Sequence, residues 1–326
     1  MEDGLPIVWR INIKTGAQQG IDPRRFCLDR GWVGVGWAVD GAETMDWEAY
    51  RPLAEVEYKN DNGWWPAINA MRNRMSENHL CWTRDTAGIY YLGRITSAWQ
   101  YTGTTDHRAA DVVNVRRCEW ILVGPVDAVP GKVVSSFRPN RTVQAVDDDT
   151  VRLFSCYYYN KHSPQSAFRF QLPSVAPDVF SLMSSEDCED VVALYMQTHG
   201  YLLFPSTCKL ATSAYEWVMI HRESGNRAAA QVKNGYDDLN VEDYAGFPGT
   251  VYLFTSKGRY VGASAPNVQC LSADQLREFM RQQETLLPER IKVWIAIASE
   301  LSSMSGGAGS NSAAVPDGGH GPARVD

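Results

Sequence analysis

The sequence has no run of about 18 apolar residues, and its start, MEDGLPIVWR, has neither the basic nor the apolar segment that directs export. We therefore expect a cytoplasmic protein without a membrane partner. No internal repeat of about 20 to 50 residues is visible, which excludes solenoids and propellers.

Signals for disulfide bonds and zinc are also lacking. The cysteines are odd in number, and none stands in CxxC or CxxH spacing. We expect reduced, mostly buried thiols rather than a disulfide framework or a zinc site. The cysteines are Cys27, Cys81, Cys118, Cys156, Cys188, Cys208 and Cys270.

The six histidines are isolated and never form HxxxH, and the sequence contains neither GxSxG nor a GxxxxGKS or GxxxxGKT run. Metalloproteases, serine hydrolases and P-loop NTPases need these arrangements for their zinc, nucleophile and phosphate sites. These three enzyme classes are therefore without support.

The chain has 326 residues, of which 44% are hydrophobic, so it exceeds the length over which one core keeps growing. We predict a domain at 1–135, a connector at 136–174, a second domain at 175–302, and a disordered tail at 303–326 that is rich in Gly, Ser, Ala and Pro. The net charge of −7 argues against a broadly basic surface. Any nucleic-acid surface must therefore be local.

The first domain has the pattern of an α+β fold built on a small curved sheet. Strands are predicted where β-branched and aromatic residues alternate, and one helix is predicted where Pro precedes a helical composition. The predicted strands are Ile7–Ile13, Trp32–Trp37, Gly88–Tyr101 and Arg117–Val123, and the helix is Pro66–His79. In the connector, Val151–Tyr159 (VRLFSCYYY) also has the composition of a strand.

The second domain has the element order α, β, β, β, α. Ser184 and Asp187 have capping-box spacing, and an apolar pattern of helical period follows as far as Gly200. Three strands are predicted next, with a Ser-Gly-Asn turn between the first two, at Glu216–His221, Ala228–Lys233 and Thr250–Ser256. Ser272 begins a final amphipathic stretch toward Glu300, interrupted by Pro288.

Three polar residues stand out in the predicted hairpin. Gln231 and Lys233 share one face of their strand, and Glu216 lies on the strand that should pair with it. They could be the exposed face of a half-buried hairpin, paired across strands. However, the residues that follow Glu216 are apolar on both faces, so a buried Glu216 would need a partner or a metal ion.

An acidic residue, a hairpin turn and then Q-x-K resembles the core signature of the PD-(D/E)xK nucleases. The run EDCEDVV followed by Gly200-Tyr201 resembles the helix of their Mrr-like branch. The resemblance implies a central mixed sheet flanked by helices, with Mg²⁺ or Mn²⁺ held by Glu189, Glu216, Gln231 and the Val232 carbonyl. It implies that Lys233 acts on the attacking water and the transition state. Glu at 216 replaces the usual Asp, and the neutral Gln231 is a weaker ligand than a carboxylate.

The stretch Cys81–Tyr101, with Cys118–Trp120 downstream, resembles PUA-like domains of the EVE kind, which implies a small β-barrel that reads a modified base. The residues that the resemblance suggests for the base pocket are Trp37, Trp82, Trp99, Tyr101, Asp106, Asn114 and Trp120. The alternative for each aromatic residue is packing in the core of the barrel.

PUA-like readers joined to nuclease domains form modification-dependent restriction enzymes. The resemblances therefore predict a Mg²⁺-dependent endonuclease of anti-phage defence that acts on double-stranded, modified DNA. A homodimer is one possible form of such an enzyme. Two alternatives stay open. The nuclease fold could be catalytically inactive and serve a module that only binds modified nucleic acid, or the substrate could be RNA.

Overall fold

The structure, a computed structural model, describes residues 4–13, 16–139, 141–168, 177–209 and 215–306. Within these ranges no helix is both long enough and apolar enough to cross a membrane. The last helix extends to Gly306, past the predicted start of the tail at 303. The rest of that tail, and residues 169–174 of the predicted connector, lie outside the described residues.

The N-terminal part is an open curved sheet with helices. Its order is β3-β6-β7-β5-β4-β1-β8, and β2 also pairs with β7. A π-helical turn at Ala70–Arg74 continues α3, and a 3₁₀ turn lies at Val126–Ala128. The elements are β1 Val8–Ile11, α1 Pro23–Arg30, β2 Trp32–Val35, β3 Thr44–Met45, α2 Trp47–Glu57, α3 Trp64–Asn69, β4 Leu80–Arg84, β5 Tyr90–Ile95, β6 Gln100–Thr102, α4 Thr105–Ala109, β7 Asn114–Gly124, α5 Gly131–Ser136 and β8 Val143–Ala145.

The expected barrel does not close within the described ranges. The eleven-residue strand β7 pairs with β2 and β6 along its first half and with β5 along its second half, which curves the sheet. The two terminal strands, β3 and β8, have only two and three residues. The chain leaves each of them for a helix almost at once, so neither presents enough backbone to pair with the other.

The N-terminal part contains more helices than the single one predicted, and the predicted Pro66–His79 helix instead starts at Trp64 and ends with the π-helical turn. The signals for α1 were local. Asp22 caps it by accepting hydrogen bonds from the backbone of Arg24 and Arg25, Pro23 occupies its first turn, and Gly31 ends it with φ 67°. Its eight residues bury only Cys27, so no apolar periodicity revealed it.

The C-terminal part is a mixed sheet flanked by helices. Its order is β15-β13-β11-β10-β9, with β9, β10 and β11 antiparallel and β11, β13 and β15 parallel. The predicted capping box at Ser184 is confirmed, and Ser272, the predicted start of the last amphipathic stretch, also forms a capping box, with Gln275. The elements are α6 Asp149–His162, α7 Val179–Leu182, α8 Ser185–Thr198, β9 Tyr201–Leu203, β10 Trp217–His221, β11 Arg227–Lys233, β12 Leu239–Asn240, β13 Thr250–Thr255, β14 Tyr260–Val261, β15 Val268–Leu271, α9 Ala273–Gln282 and α10 Glu289–Gly306, with 3₁₀ turns at Thr207–Lys209, Val241–Tyr244 and Glu284–Leu286.

The predicted strand at Val151–Tyr159 is wrong, because this segment belongs to helix α6. Asp148 caps the helix by accepting a hydrogen bond from the backbone of Val151 at 3.0 Å. Residues on nearly every side of α6 are buried. A helix that is buried all round has no polar face and therefore no amphipathic pattern in its sequence.

Helix α6 lies inside a core that the N-terminal and C-terminal parts share. Trp82 of β4 donates a hydrogen bond from Nε1 to the Ser155 hydroxyl at 3.1 Å. The ring of Phe154 stacks on Trp82 at 6.4 Å and meets Trp294 of α10 edge-on at 5.9 Å. The division into two domains stays a prediction, but the segment named as a connector contributes a buried helix to this core.

Replacing Phe154 by Ala should lower the free energy of unfolding by about 3–5 kcal/mol, because a cavity would open between Trp82 and Trp294. Urea denaturation followed by tryptophan fluorescence measures the change. Lys161→Ala on the same helix is the control, since its side chain is 55% exposed and such surface changes stay within about 0.5 kcal/mol. Similar small effects of both substitutions would contradict a core role for α6.

Candidate active site and aromatic pockets

The hairpin of β10 and β11 places Glu216 directly opposite Gln231. Trp217 pairs with Ala230, and the Glu216 backbone N–H donates to the Ala230 carbonyl at 2.8 Å. The Gln231 amide donates from Nε2 to Glu216 Oε1 at 2.6 Å. Gln231 is only 2% exposed and Glu216 is half-buried, so this pair is not the solvated face of a hairpin.

Helix α8 packs against β11 and carries Glu189. Asn234, directly after β11, fixes the start of this helix by donating from Nδ2 to the Met183 carbonyl at 2.8 Å and to the Ser184 carbonyl at 3.3 Å. The sequence analysis did not select Asn234. Its position immediately after the Q-x-K strand was the available signal, because Asn side chains commonly hydrogen-bond backbone groups at element ends.

The electrostatics relate Glu189 to Glu216 and Lys233, and a hydrogen bond joins Gln231 to Glu216. Burial, with a further contribution from the negative charge of Glu216, raises the pKa of the Glu189 carboxyl to about 7. The positive charge of Lys233 acts on the same carboxyl in the opposite direction. The structure therefore brings Glu189, Glu216, Gln231 and Lys233 to one end of the sheet.

The donor set at this site consists of oxygen atoms, the kind that Mg²⁺ and Mn²⁺ prefer. Within the described ranges no group of three or more His, Cys, Asp or Glu side chains could hold a metal ion. A cation here would use the two carboxylates together with neutral oxygens, namely the Gln231 amide and the Val232 carbonyl, which lies 3.4 Å from Gln231 Nε2. The amide would have to rotate so that its oxygen faces the ion. Burial is the main cause of the raised pKa of Glu189, and the neighbouring carboxylates add to it, so a cation bound here would favour the ionised form of Glu189.

Three of the predicted base-binding residues have other roles in the structure. Trp82 is fully buried against α6, and Trp120 donates from Nε1 to the Trp32 carbonyl at 2.9 Å. Asp106 forms a surface ion pair with Arg30 at 2.7 Å. The observed contacts of the two tryptophans are those of packed core residues, and those of Asp106 are those of a surface residue.

Trp99 and Tyr101 line a pocket of about 520 Å³, which we call the aromatic pocket. Trp47 meets Trp99 edge-on at 5.5 Å, and the Arg72 guanidinium lies 5.7 and 5.9 Å from the two ring centres. Trp99 Nε1 is buried without a hydrogen-bond partner among the described residues. Trp47, Arg72 and the buried Arg116, which also lines this pocket, were not selected from the sequence. Trp47 directly follows the Asp46 cap of α2, a helix that the sequence analysis missed.

Trp37 lies at a second pocket, of about 320 Å³, which we call the acidic pocket. Its backbone has φ 68°, an uncommon and strained conformation for a large side chain, and its Nε1 donates to Asp61 at 2.8 Å. Asp111 lines the same pocket, and burial raises the pKa of its carboxyl. Asn114 holds the Trp37 loop by donating to the Gly36 carbonyl at 2.6 Å, while its own side-chain oxygen is buried without a partner in the described part of the chain.

Comparison with protein-family models, with curated proteins and with solved structures gives no match to this chain. The likeness to PD-(D/E)xK nucleases and to PUA-like readers therefore stays a prediction from the sequence. What the geometry adds is the convergence of Glu189, Glu216, Gln231 and Lys233, and the pockets at Trp99 and Trp37.

The raised pKa of Glu189 should make stability depend on pH. Between pH 4.5, the ordinary value for Glu, and about 7, the folded protein keeps a proton that the unfolded chain has released. The free energy of unfolding should therefore fall as pH rises through this window. Glu189→Gln removes this contribution, so the variant should lose less stability between pH 5 and pH 8, measured by urea denaturation.

The control is Glu223→Gln in the hairpin between β10 and β11, where the Glu223 side chain is 76% exposed. It should leave the pH dependence of the wild-type protein unchanged. If Glu189→Gln and the wild-type protein lost equal stability over the window, the Glu189 carboxyl would not be in the environment described.

Proposed function

We propose that this protein hydrolyses phosphodiester bonds of double-stranded DNA in a reaction that requires Mg²⁺ or Mn²⁺. The observation that carries the proposal is the placement of Glu189, Glu216, Gln231 and Lys233 at one end of a mixed sheet, where Gln231 contacts Glu216 and both Glu216 and Lys233 act on the Glu189 carboxyl. Carboxylates beside a lysine are suited to phosphoryl chemistry. The capped helix before the strands and the parallel strand after them support a restriction-endonuclease-like fold for this part of the chain.

Glu189, Glu216, Gln231 and the Val232 carbonyl would hold the cation. When bound, such an ion lowers the pKa of a water molecule and neutralises charge on the phosphate. Lys233 would orient the attacking water through Nζ and stabilise the negative charge that grows on the phosphate oxygens. In the reaction, the oxygen of the attacking water would bond to phosphorus as the P–O ester bond breaks. The attacking water would release a proton to solvent, and the leaving alkoxide would take up a proton from solvent water.

Glu189 gives the site a dependence on pH. Its carboxyl, with a pKa of about 7, must release its proton before both oxygens are available as ligands. Affinity for a divalent cation should therefore increase as the pH rises through 7. Gln231 contributes no charge, so Glu216 and the ionised Glu189 would supply all the negative charge of the ligand set.

We propose further that the N-terminal part, in the manner of a PUA-like reader, binds a modified base in the aromatic pocket. Its volume of about 520 Å³ lies in the usual range for small-molecule sites. The rings of Trp47 and Trp99 supply stacking faces, and the unpartnered Trp99 Nε1 supplies a hydrogen-bond donor. A base that is flipped out of the duplex needs both kinds of contact.

A module that binds nucleic acid without cleaving it is the second candidate, and one observation favours it. The Gln231 amide already satisfies Glu216 at 2.6 Å, and Gln231 is a weaker ligand than a carboxylate. An inactive site would keep this hydrogen bond as a structural link between β10 and β11. Cleavage assays with and without metal distinguish the two functions.

Lys233→Ala should lower the single-turnover rate of DNA cleavage by about 10²–10⁴-fold while DNA binding changes little, because Lys233 acts on the water and the transition state. Glu216→Gln should abolish cleavage by removing a charged ligand. The substrates are phage-modified and unmodified duplexes, with an RNA of the same sequence, assayed in Mg²⁺, Mn²⁺ and EDTA.

Arg222→Ala is the control, since it removes one positive charge at the hairpin on the opposite end of the sheet, where Arg222 is 64% exposed. Gln231→Glu adds a carboxylate and should tighten metal binding in calorimetry if Gln231 faces the ion. Cleavage in EDTA, or at the wild-type rate in Lys233→Ala, would place the chemistry elsewhere. Binding without cleavage in any metal would establish the binding-only function, and faster cleavage of RNA would change the substrate class.

Trp99→Ala should weaken binding of the modified duplex by about 1–3 kcal/mol, the value of one base stacked on an aromatic ring. Its effect on stability should come from the lost ring contacts with Trp47 and Tyr50 alone, because Trp99 Nε1 has no hydrogen bond to lose. Trp120→Phe, in contrast, removes the bond to the Trp32 carbonyl and should cost at least about 1 kcal/mol of stability without changing DNA binding. Fluorescence anisotropy and urea denaturation of both variants measure these effects. Equal binding of modified and unmodified duplexes by the wild-type protein would refute the reader proposal.

A further inference from the structure

The parallel strands β11 and β13 end side by side, at the same end of the sheet as Lys233. The Ser256 backbone N–H donates to the Lys233 carbonyl at 3.1 Å, and the Lys257 N–H donates to the Gly235 carbonyl at 3.0 Å. The segments that follow the two strands therefore lie against each other. The carboxyl ends of parallel strands are where α/β sheets usually bind ligands.

A small pocket lies at this end, and residues from both parts of the chain form it. Helix α5 of the N-terminal part contributes Lys132, and the segments after β11 and β13 contribute Tyr236 and Lys257. The ammonium groups of Lys132 and Lys257 lie 5.3 and 5.4 Å from the centre of the Tyr236 ring. We call this group of three residues the lysine pocket. Tyr236 is 61% exposed, so its ring is accessible to a ligand.

The charges of the lysine pocket do not cancel. Lys257 is neutralised by the buried carboxylate of Asp148, 2.6 Å from its Nζ. Lys132 has no carboxylate partner among the residues that the structure describes. One positive charge therefore remains at the mouth of the pocket, and three protons of the Lys132 ammonium are available as donors.

The size of the lysine pocket selects the kind of group that fits. Its volume is about 80 Å³, whereas one water molecule occupies about 30 Å³ in the liquid. A pocket of this size suits a small anion such as a phosphate. The Ser135 side chain also lines the pocket and brings a hydroxyl group, from which phosphate oxygens accept readily. The hydroxyl of Ser256, which lines the pocket as well, already donates to Asn234 Oδ1 at 2.8 Å.

We propose that the lysine pocket binds a backbone phosphate of the DNA strand that enters the Glu216 and Lys233 site. Tyr236 lies three residues after Lys233, and Ser256, which lines the pocket, donates its backbone N–H to the Lys233 carbonyl, so the pocket adjoins the end of the strand that carries Lys233. The source of the phosphate rests on the proposed function, since an isolated phosphate has the same chemistry. Lys132 acts as a positioning residue that fixes the register of the strand without touching the reacting atoms.

The test measures binding of a fluorescent duplex to the full chain in EDTA, between about 50 and 200 mM salt. Lys132→Gln keeps most of the aliphatic stem and removes the charge. It should weaken binding several-fold at low salt and reduce the slope of log K against log salt by about one. Arg222→Gln at the other end of the sheet should leave the slope unchanged, and Lys132→Arg should restore it. In a second series of measurements, inorganic phosphate is added to compete with the duplex for the wild-type protein and for each variant.

Each outcome has one meaning. A slope in Lys132→Gln equal to that of the wild-type protein overturns the inference, even if the wild-type protein cleaves DNA. If Lys132→Gln abolishes competition by inorganic phosphate while its affinity for DNA stays equal to that of the wild-type protein, the pocket binds free phosphate. That outcome also overturns the inference. A reduced slope in a protein that never cleaves supports the lysine pocket and refutes the proposed catalysis. If Lys132→Gln lowers the melting temperature, restored affinity in Lys132→Arg separates charge from folding.

Discussion

A single buried carboxylate joins the parts of the chain on which the candidate active site depends. Asp148 caps α6 through Val151, accepts from the Ser181 hydroxyl of α7 at 3.1 Å and pairs with Lys257 after β13 at 2.6 Å. Its side chain is 2% exposed, so an unpaired charge there would be costly. Because three elements must meet to satisfy this one group, α6 cannot shift on the N-terminal sheet without disturbing the ends of β11 and β13. The lysine pocket and Lys233 lie at those ends.

A buried cation has the corresponding role at the aromatic pocket. Arg116 is 4% exposed and donates to main-chain carbonyls, with the bonds to Met71 at 2.6 Å and to Ser97 and Met75 at 2.8 Å. Burial lowers the pKa of its guanidinium to about 10, so it stays charged at neutral pH. These bonds hold the π-helical turn to the loop before Trp99. The pocket wall is therefore rigid before a ligand arrives, which reduces the entropy lost on binding.

The sequence predicted best where the determining contacts are local. The capping box at Ser184, the turn between β10 and β11 and the pairing of Glu216 with Gln231 all depend on residues within about one hairpin or helix turn of each other, and the structure contains them. Prediction from the sequence failed where a residue's contact partner lies far away along the chain. Trp82 belongs to the core because Ser155, 73 residues later, meets it, and most residues of α6 are buried by elements that are distant in the sequence. Aromatic composition could not separate Trp82 from Trp99, since both are good strand residues.

On the proposed function, a chain of net charge −7 has to hold DNA through local positive charge. On the proposed function, Glu189 and Glu216 would repel the DNA backbone in the absence of a cation, and protonation of Glu189 would relieve only part of that charge. The positive charge of Lys132 lies beside the site rather than within it. Attraction at the lysine pocket can therefore bring a strand close while the carboxylates keep the scissile phosphate away until a cation reverses the local charge. In this arrangement, binding of the DNA strand depends on the positive charge of Lys132, whereas cleavage depends on the carboxylates and the cation they would hold.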